Sequence, residues 1–280
     1  MTTSPTHSVT PSQPHSSLRL NPIIKNYLNK LTPWTLPLLL IILWQFSVDV
    51  GWLSTKILPS PTAVVQAGIQ LAISGELLKN VLTSLSRAVT GFLIGGSIGF
   101  ILGLLNGLFP LSEKLLDTSV QMLRNIPHLA AIPLVILWFG IGEEAKLFLV
   151  SVGVMFPIYL NTFHGIRSID PGLIEMGKVY GLKPLGLFWQ IVIPGALPSV
   201  LVGVRFSLGI MWLTLIVAET IATDSGIGYM AMNAREFLQT DVVVFSILMY
   251  ALLGKVADSF ARFLEERWLQ WHPNQQLSQV

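Results

Sequence analysis

Long apolar segments alternate with short polar segments along most of the chain, and this pattern predicts helices that cross a membrane. Apolar runs occupy residues 36–50, 85–109, 126–139, 147–163, 197–218 and 242–257. A helix needs about 20 residues to cross the hydrocarbon core of a bilayer, which is ~30 Å thick. Weakly polar flanking residues extend the shorter runs to that length. The pattern therefore predicts an all-α membrane protein with about six transmembrane helices.

The composition strengthens this prediction. Hydrophobic residues make up 52% of the chain and charged residues only 11%, whereas soluble domains carry about 25% charged residues. A water-soluble fold of this length would have to expose too much apolar surface. The net charge of +2 and the scattered basic residues argue against nucleic-acid binding. The chain has no cysteine, so disulfides and cysteine metal sites are excluded.

The polar segments divide the chain and predict its orientation. Residues 1–30 begin with many Ser, Thr and Pro residues and are expected to form a disordered cytoplasmic tail. A transmembrane domain is expected over 31–272 and a short tail over 273–280. Lys and Arg are more frequent in the first tail, the 167–196 loop and the C-terminal region. Because cytoplasmic segments are enriched in these residues, both termini and this loop are expected in the cytoplasm.

The 167–196 loop carries signals for two short helices at a sharp angle. Asp170 is a typical N-cap and Pro171 suits the first helical position. Gly181 offers a C-terminal break, and Pro184 disfavours a straight continuation. A second short helix is expected to end at Pro194. Such a helical elbow on the cytoplasmic side predicts a surface that meets a partner.

The same loop resembles the inner-membrane permeases of binding-protein-dependent ABC importers. Their signature is E-A-A, three residues, Gly, nine residues, then I-x-L-P. The matching positions here are Glu175, Met176, Gly177, Gly181, Ile191 and Pro194. Met and Gly replace the two alanines and Ile replaces the Leu, while the spacing is kept. The resemblance extends over about residues 35–272 and includes the stretches 133–140 and 218–220.

The resemblance implies a type I importer permease bundle (MetI-like) that forms a homodimer in the bacterial inner membrane. It also implies two ATP-binding ABC subunits in the cytoplasm and a periplasmic or lipid-anchored substrate-binding protein on the other side. In this family the loop is the coupling helix that docks on the ATPase, and ATP binding and hydrolysis there drive alternating access. The stretches 226–237 and 265–268 look most like permeases for aliphatic sulfonates. Nitrate, bicarbonate, taurine and thiamine-precursor permeases share most of the pattern and remain alternatives.

No nucleotide-binding motif is present in the chain itself. None of its lysines is followed by Ser or Thr, so the phosphate-binding motif G-x-x-x-x-G-K-[ST] is absent. We therefore expect a transport subunit rather than an enzyme, with ATP and Mg²⁺ on the partner ATPase and no cofactor here. No metal site is expected, because His128 and His164 have no second His or carboxylate at ligand spacing.

A ladder of glycines marks the second apolar run. The glycines recur every four residues and fall on one side of a helix, which predicts close packing against a neighbouring helix. They are Gly91, Gly95, Gly99, Gly103 and Gly107. Residues 95–99 also fit the nucleophile pattern G-x-S-x-G. An intramembrane serine hydrolase, with Ser97 as nucleophile and His128 or His164 as base, is thus an alternative from another class.

Four residues are candidates for lining or gating a translocation pathway: Pro133, Trp138, Arg205 and Glu219. Pro127, Pro133 and Pro157 are each expected to interrupt helical hydrogen bonding, either as ordinary kinks or as part of a gate. Arg205 and Glu219 flank the fifth predicted helix. Intramembrane charges are functional candidates by default, and a position at headgroup level is the alternative. A secondary transporter would need more mid-membrane charges than the sequence shows.

Overall fold

A computed structural model describes residues 22–221 and 223–271, and every regular element in these two ranges is helical. The chain divides into two units, residues 1–53 and 54–280. The first unit contains helix α1 (Pro22–Asp49), which begins inside the predicted 1–30 tail, so the end of that segment is helical rather than disordered. Residues 1–21 and the predicted tail 273–280 lie outside the described residues.

The second unit contains nine described helices. They are α2 (Pro61–Ile73), α3 (Glu76–Leu108), α4 (Pro110–Arg124), α5 (His128–Phe139), α6 (Glu143–Arg167), α7 (Pro171–Val179), α8 (Pro184–Ile221), α9 (Ile227–Glu236) and α10 (Thr240–Trp268). Four of them, α3, α6, α8 and α10, are long and apolar enough to cross a membrane. All but the last residue of the predicted run 36–50 lies in α1, whose shorter apolar part is Trp34–Asp49. The count of six therefore stays a prediction.

The third predicted run, 126–139, begins at a sharp bend and forms α5. Helices α4 and α5 meet at a bend of 78°, and only together do they make a fifth candidate span. The break lies at Pro127, which has an extended backbone. Pro133 stands in the first α-helical turn of α5, where no backbone donor is needed. Pro127 thus interrupts helical structure between α4 and α5, as expected, whereas the expectation is wrong for Pro133; Pro157 lies inside α6.

Helix α3 packs closely on α6 through the glycine ladder. A Cβ at Gly95 or Gly99 would overlap the backbone carbonyls of Ser151 and Met155. At Gly103 a Cβ would lie 2.7 Å from the carbonyl oxygen of Tyr159. Gly91 and Gly107 lie against side chains of the same helix, Val150 and Ile166. Small residues let backbones approach in this way, so α3 and α6 form one tightly packed pair.

The core of the unit spreads from this pair to α8, α9 and α10. Val150, Val154, Leu215 and Ile227 are fully buried and belong to one apolar cluster. Trp212 and Tyr250 pack edge to face in the same cluster, with ring centroids 6.2 Å apart. The core therefore holds the long helices together, and the ends of α3, α6 and α8 are fixed relative to one another.

Candidate functional site

The elbow between α6 and α8 is built from a short capped helix. The Asp170 carboxylate accepts a hydrogen bond of 2.8 Å from the amide of Gly172, and Pro171 begins α7. After α7 ends at Val179, Gly181 adopts a left-handed φ of 78°. The Leu182 amide then donates to the Gly177 carbonyl at 3.0 Å. The predicted helix start and the predicted break at Gly181 are both present.

The second half of the elbow differs from its prediction. The helix that begins at Pro184 does not end at Pro194 but continues to Ile221. Residues Phe188–Val192 form a wider π-helical turn directly before Pro194. Proline has no backbone N–H and cannot close a regular helical turn, so the wider turn lets the helix pass through this position. The elbow is therefore α7 packed on the first turns of α8, a helix long and apolar enough to span a membrane.

Gly177 and Ile191 hold the two arms of the elbow together. A Cβ at Gly177 would lie 2.6 Å from Cδ1 of Ile191 and 2.6 Å from Cδ2 of Leu187. Ile191 packs against a buried cluster that includes Ile166 and Ala196. A Cβ at position 177 would therefore require the ends of the Ile191 and Leu187 side chains to move.

The outer surface of the elbow is apolar to an unusual degree. Glu175 and Met176 are exposed there. Large apolar side chains accompany them, with Val179 86% and Tyr180 81% exposed, together with Leu173, Leu185 and Trp189. An exposed apolar patch of this kind is typical of a protein–protein contact site.

The pathway candidates Pro133, Trp138 and Arg205 do not form one site. Each lies at the surface or at the wall of a cavity. Pro133 and Trp138 are exposed on α5, and Trp138 lines an apolar cavity of about 270 Å³. Arg205 on α8 is half-buried and pairs with Asp258 at 2.8 Å and with Glu265 at 3.6 Å. Its charge is therefore already neutralised within the chain.

Glu219 is the most completely enclosed of the candidates. Its side chain has no exposed surface. The Arg87 guanidinium and the Tyr250 hydroxyl donate to it at 2.8 and 2.7 Å. The amide of Gly228 donates at 3.0 Å, and Ser84 Oγ lies 2.8 Å from both carboxylate oxygens. Burial of a charge is costly unless it is paired and hydrogen-bonded, and here every lone pair has a partner.

Arg87, which the sequence did not single out, connects this carboxylate to a second one. Its side chain is only 4% exposed. It donates two hydrogen bonds to Glu143, of 2.5 and 2.6 Å, and another to the backbone carbonyl of Ser225. Lys146 pairs with Glu143 at 3.0 Å. Two cations and two carboxylates thus balance one another and join α3, α6 and α8. The signal in the sequence was a single Arg near the start of an apolar run.

The serine-hydrolase alternative does not fit the structure. Ser97 is exposed in the middle of α3, a single helix of 33 residues, whereas a nucleophile elbow needs a strand before the serine. His128 Nε2 lies 3.1 Å from the hydroxyl of Thr214 and is engaged there. Among the described residues, no group of three or more His, Cys, Asp or Glu could hold a metal ion.

Comparison with known proteins identifies the family. Residues 95–270 match the family described as the inner membrane component of binding-protein-dependent transport systems. The aliphatic sulfonates transport permease protein SsuC of Escherichia coli K12 is 61% identical over 92% of this chain and 98% of its own length. SsuC of Bacillus subtilis 168 is 44% identical over 84% of this chain and 86% of its own length.

A solved structure agrees on the fold. The structure of the MetNI methionine ABC transporter in inward-facing conformations contains a chain that matches with a TM-score of 0.54 and 20% identity. The match covers 67% of this chain and 95% of that one. At this identity the likeness concerns the fold alone, which is that of the MetI-like importer permeases. The chain thus belongs to the family of inner-membrane components of binding-protein-dependent transport systems, as a permease subunit and not an enzyme.

Proposed function

We propose that the chain is the membrane permease of an ATP-driven importer for aliphatic sulfonates. The observation that carries this proposal is the 61% identity to the E. coli sulfonate permease over 92% of the chain. An alignment of 257 residues in a chain of 280 spans the elbow and helices α3, α6 and α8, so a shared substrate class is the simplest inference. Nitrate, bicarbonate, taurine and thiamine precursors are the substrates that the experiment below must distinguish.

The elbow is the proposed contact with the ATPase. Its exposed apolar side chains, above all Val179 and Tyr180, would be covered by a partner, while Glu175 and Met176 are exposed on the same short helix. Gly177 and Gly181 determine the shape of the elbow instead. Gly177 allows α7 to pack closely on α8, and Gly181 adopts the left-handed backbone conformation of the turn. Ile191 and Pro194 belong to α8, so a movement imposed on the elbow passes directly into a spanning helix.

The proposed assembly follows the family pattern. Two copies of this chain would enclose a pathway, two ATP-binding subunits would bind the elbows from the cytoplasm, and a binding protein would deliver substrate from outside. ATP and Mg²⁺ belong to the ATP-binding subunits. The two termini would lie in the cytoplasm, and the Arg87–Glu219–Glu143 network would lie toward the outer ends of α3, α6 and α8 and hold them together while the elbows move.

The test is stimulation of ATP hydrolysis in reconstituted liposomes. The permease is co-expressed with the ATPase encoded beside it, and binding protein loaded with an alkanesulfonate, taurine, nitrate or bicarbonate is added. We expect stimulation by the alkanesulfonate-loaded protein. If only a binding protein loaded with another anion stimulates hydrolysis, the proposed substrate is wrong and the assignment as an importer stands. If no ATPase co-purifies, both the substrate and the importer assignment are wrong.

A further inference from the structure

A cavity beside the break between α4 and α5 has features of an anion site. It has a volume of about 440 Å³, within the range of about 300–1,000 Å³ that is usual for small-molecule sites. Four helices contribute to it. The polar side chains that line it are Arg124, His128 and Asn161, and its apolar walls are Phe156, Pro157, Leu160, Val202, Phe206 and Ile210.

The cavity lies between the middle parts of two spanning helices. Residues 153–161 are central in α6 (Glu143–Arg167), and residues 202–210 are central in α8 (Pro184–Ile221). Arg124 and His128 stand on either side of the bend between α4 and α5. Non-helical backbone at membrane depth is tolerated only within protein or beside a water-filled cavity. The open cavity beside the bend is large enough to hold water.

Arg124 has no ion-pairing partner in the part of the chain that the structure describes. In residues 22–221 and 223–271, no carboxylate lies within ion-pairing distance of its guanidinium, and no side chain of Asp or Glu lines this cavity. The neighbouring groove on α8 offers the contrast, because its Arg205 is paired with Asp258 and Glu265. Arg124 is exposed in the last turn of α4, so its charge is available to an anion in the cavity.

The other polar groups add donors to the same cavity. Asn161 uses one amide hydrogen on the carbonyl of Pro157, at 2.9 Å, and has a second one free for a ligand. His128 reaches the cavity because Gly153 has no side chain, since a Cβ there would lie 3.2 Å from His128 Nε2. The site thus offers one permanent positive charge and several N–H donors, surrounded by aliphatic and aromatic walls.

We propose that this cavity is a transient binding site for the transported anion, called the station below, and that it selects a sulfonate with an apolar tail. The inference rests on the proposed function and names the substrate class at the level of the permease. The sulfonate oxygens would accept hydrogen bonds from Arg124 and Asn161, and the alkyl chain would lie between Phe156 and Phe206. Because no carboxylate lines the cavity, an ammonium group such as that of taurine has no counter-charge there.

A second cavity accommodates longer tails. The apolar cavity of about 270 Å³ shares His128 and Phe156 with the station, and its other walls include Trp138, Phe148 and Met155. An alkyl chain too long for the first space can extend into this one. Inorganic anions such as nitrate have no apolar part that could pack against the walls of either cavity. The pair of cavities therefore favours alkanesulfonates over both inorganic anions and zwitterionic sulfonates.

The test is uptake by the whole complex, reconstituted with its ATPase and binding protein. Hexanesulfonate uptake is compared for the wild type, Arg124→Gln and Arg124→Lys, and stimulated ATP hydrolysis is measured in parallel. We expect Arg124→Gln to lower uptake at least tenfold while stimulated hydrolysis stays within about twofold, and Arg124→Lys to keep an intermediate rate. Lys79→Gln also removes a positive charge, at an exposed residue of α3 that lines neither cavity, so it serves as the control and should keep both activities.

Each failure has a separate meaning. If the wild type takes up no sulfonate, the proposed function is wrong. If the wild type does so and Arg124→Gln matches it, the station is wrong and the function stands. Should Arg124→Gln fail to assemble, Phe206→Trp decides, because filling the cavity should slow octanesulfonate at least fivefold more than methanesulfonate. An unchanged ratio of the two rates would overturn the station.

Discussion

The hydroxyl of Tyr250 donates a hydrogen bond of 2.7 Å to Glu219, a carboxylate with no exposed surface. The contact ties α10 to the end of α8, where Arg87 already connects α3. Substitution of Glu219 by Ala leaves two cations, Arg87 and Lys146, with Glu143 as their one carboxylate in the network, and breaking a buried pair in this way costs about 3–5 kcal/mol. We expect a loss of that size in the free energy of unfolding, measured by denaturant titration in mixed micelles.

Two further variants make that measurement specific. Tyr250→Phe removes one hydrogen bond to a charged group and should cost about 1.5–3 kcal/mol. Glu144→Gln changes an exposed carboxylate for which no ion pair is found in the described ranges, and should change the free energy by less than about 0.5 kcal/mol. Equal effects of Glu219→Ala and Glu144→Gln would contradict the network.

Gly99 and Ser97 lie two residues apart on α3 but differ in their surroundings. A Cβ at Gly99 overlaps the carbonyl of Met155, whereas Ser97 is exposed. Overpacking against a backbone that cannot move aside costs about 1–3 kcal/mol or more. We therefore expect Gly99→Leu to reduce the yield of monodisperse protein in size-exclusion chromatography and Ser97→Leu to leave it unchanged. A normal yield for Gly99→Leu would show that α3 can separate from α6.

Gly181 has space around it but a restricted backbone. No atom lies within 4 Å of a Cβ at this position, yet its φ is 78°, and a left-handed φ costs an L-residue with a side chain about 1–2 kcal/mol. Asn tolerates this conformation better than most residues. We expect Gly181→Val to abolish sulfonate uptake with normal membrane insertion, and Gly181→Asn to retain uptake. If Asn and Val are equally harmful, then size rather than backbone strain is responsible.

The local features of the elbow could be predicted from the sequence, and the long-range ones could not. Asp170, Pro171 and Gly181 act within a few residues of their own position, so their capping and turn roles are evident in the chain. Pro194 was misjudged because a π-helical turn, which depends on how α8 packs, absorbs the missing donor. The Arg87–Glu219 pair joins residues separated by 132 positions, and no local spacing reveals such a contact.

The same limit applies to the spanning helices. Glycines at every fourth residue define one side of α3, but this spacing does not predict that α6 is the helix that packs on it. The 78° bend lies between Arg124 and His128, at the start of the apolar run 126–139, and hydropathy does not report the angle between two consecutive helices. The cavity lined by Arg124 lies beside that bend, so the sequence alone did not predict it either.

Val179 tests whether the elbow contacts the ATPase. It is 86% exposed at the end of α7, and a charge placed in an apolar contact would lose its hydration without a partner. We expect Val179→Asp to reduce co-purification of the ATPase at least tenfold while the permease still inserts. Leu238→Asn, at an equally exposed residue with a φ of 57° between α9 and α10, should leave co-purification unchanged. Equal co-purification of the two variants would place the contact elsewhere.

The orientation of the chain can be measured directly because it contains no cysteine. Single cysteines at Tyr180 and Leu238, which are 81% and 85% exposed, would each report one side of the membrane. The distribution of Lys and Arg predicts that position 180 faces the cytoplasm and position 238 the outside. In intact cells, a membrane-impermeant maleimide should therefore label Leu238→Cys and leave Tyr180→Cys unlabelled until the membrane is opened. The reverse pattern would place the elbow outside, where no ATPase could bind it, and would refute the proposed coupling together with the orientation.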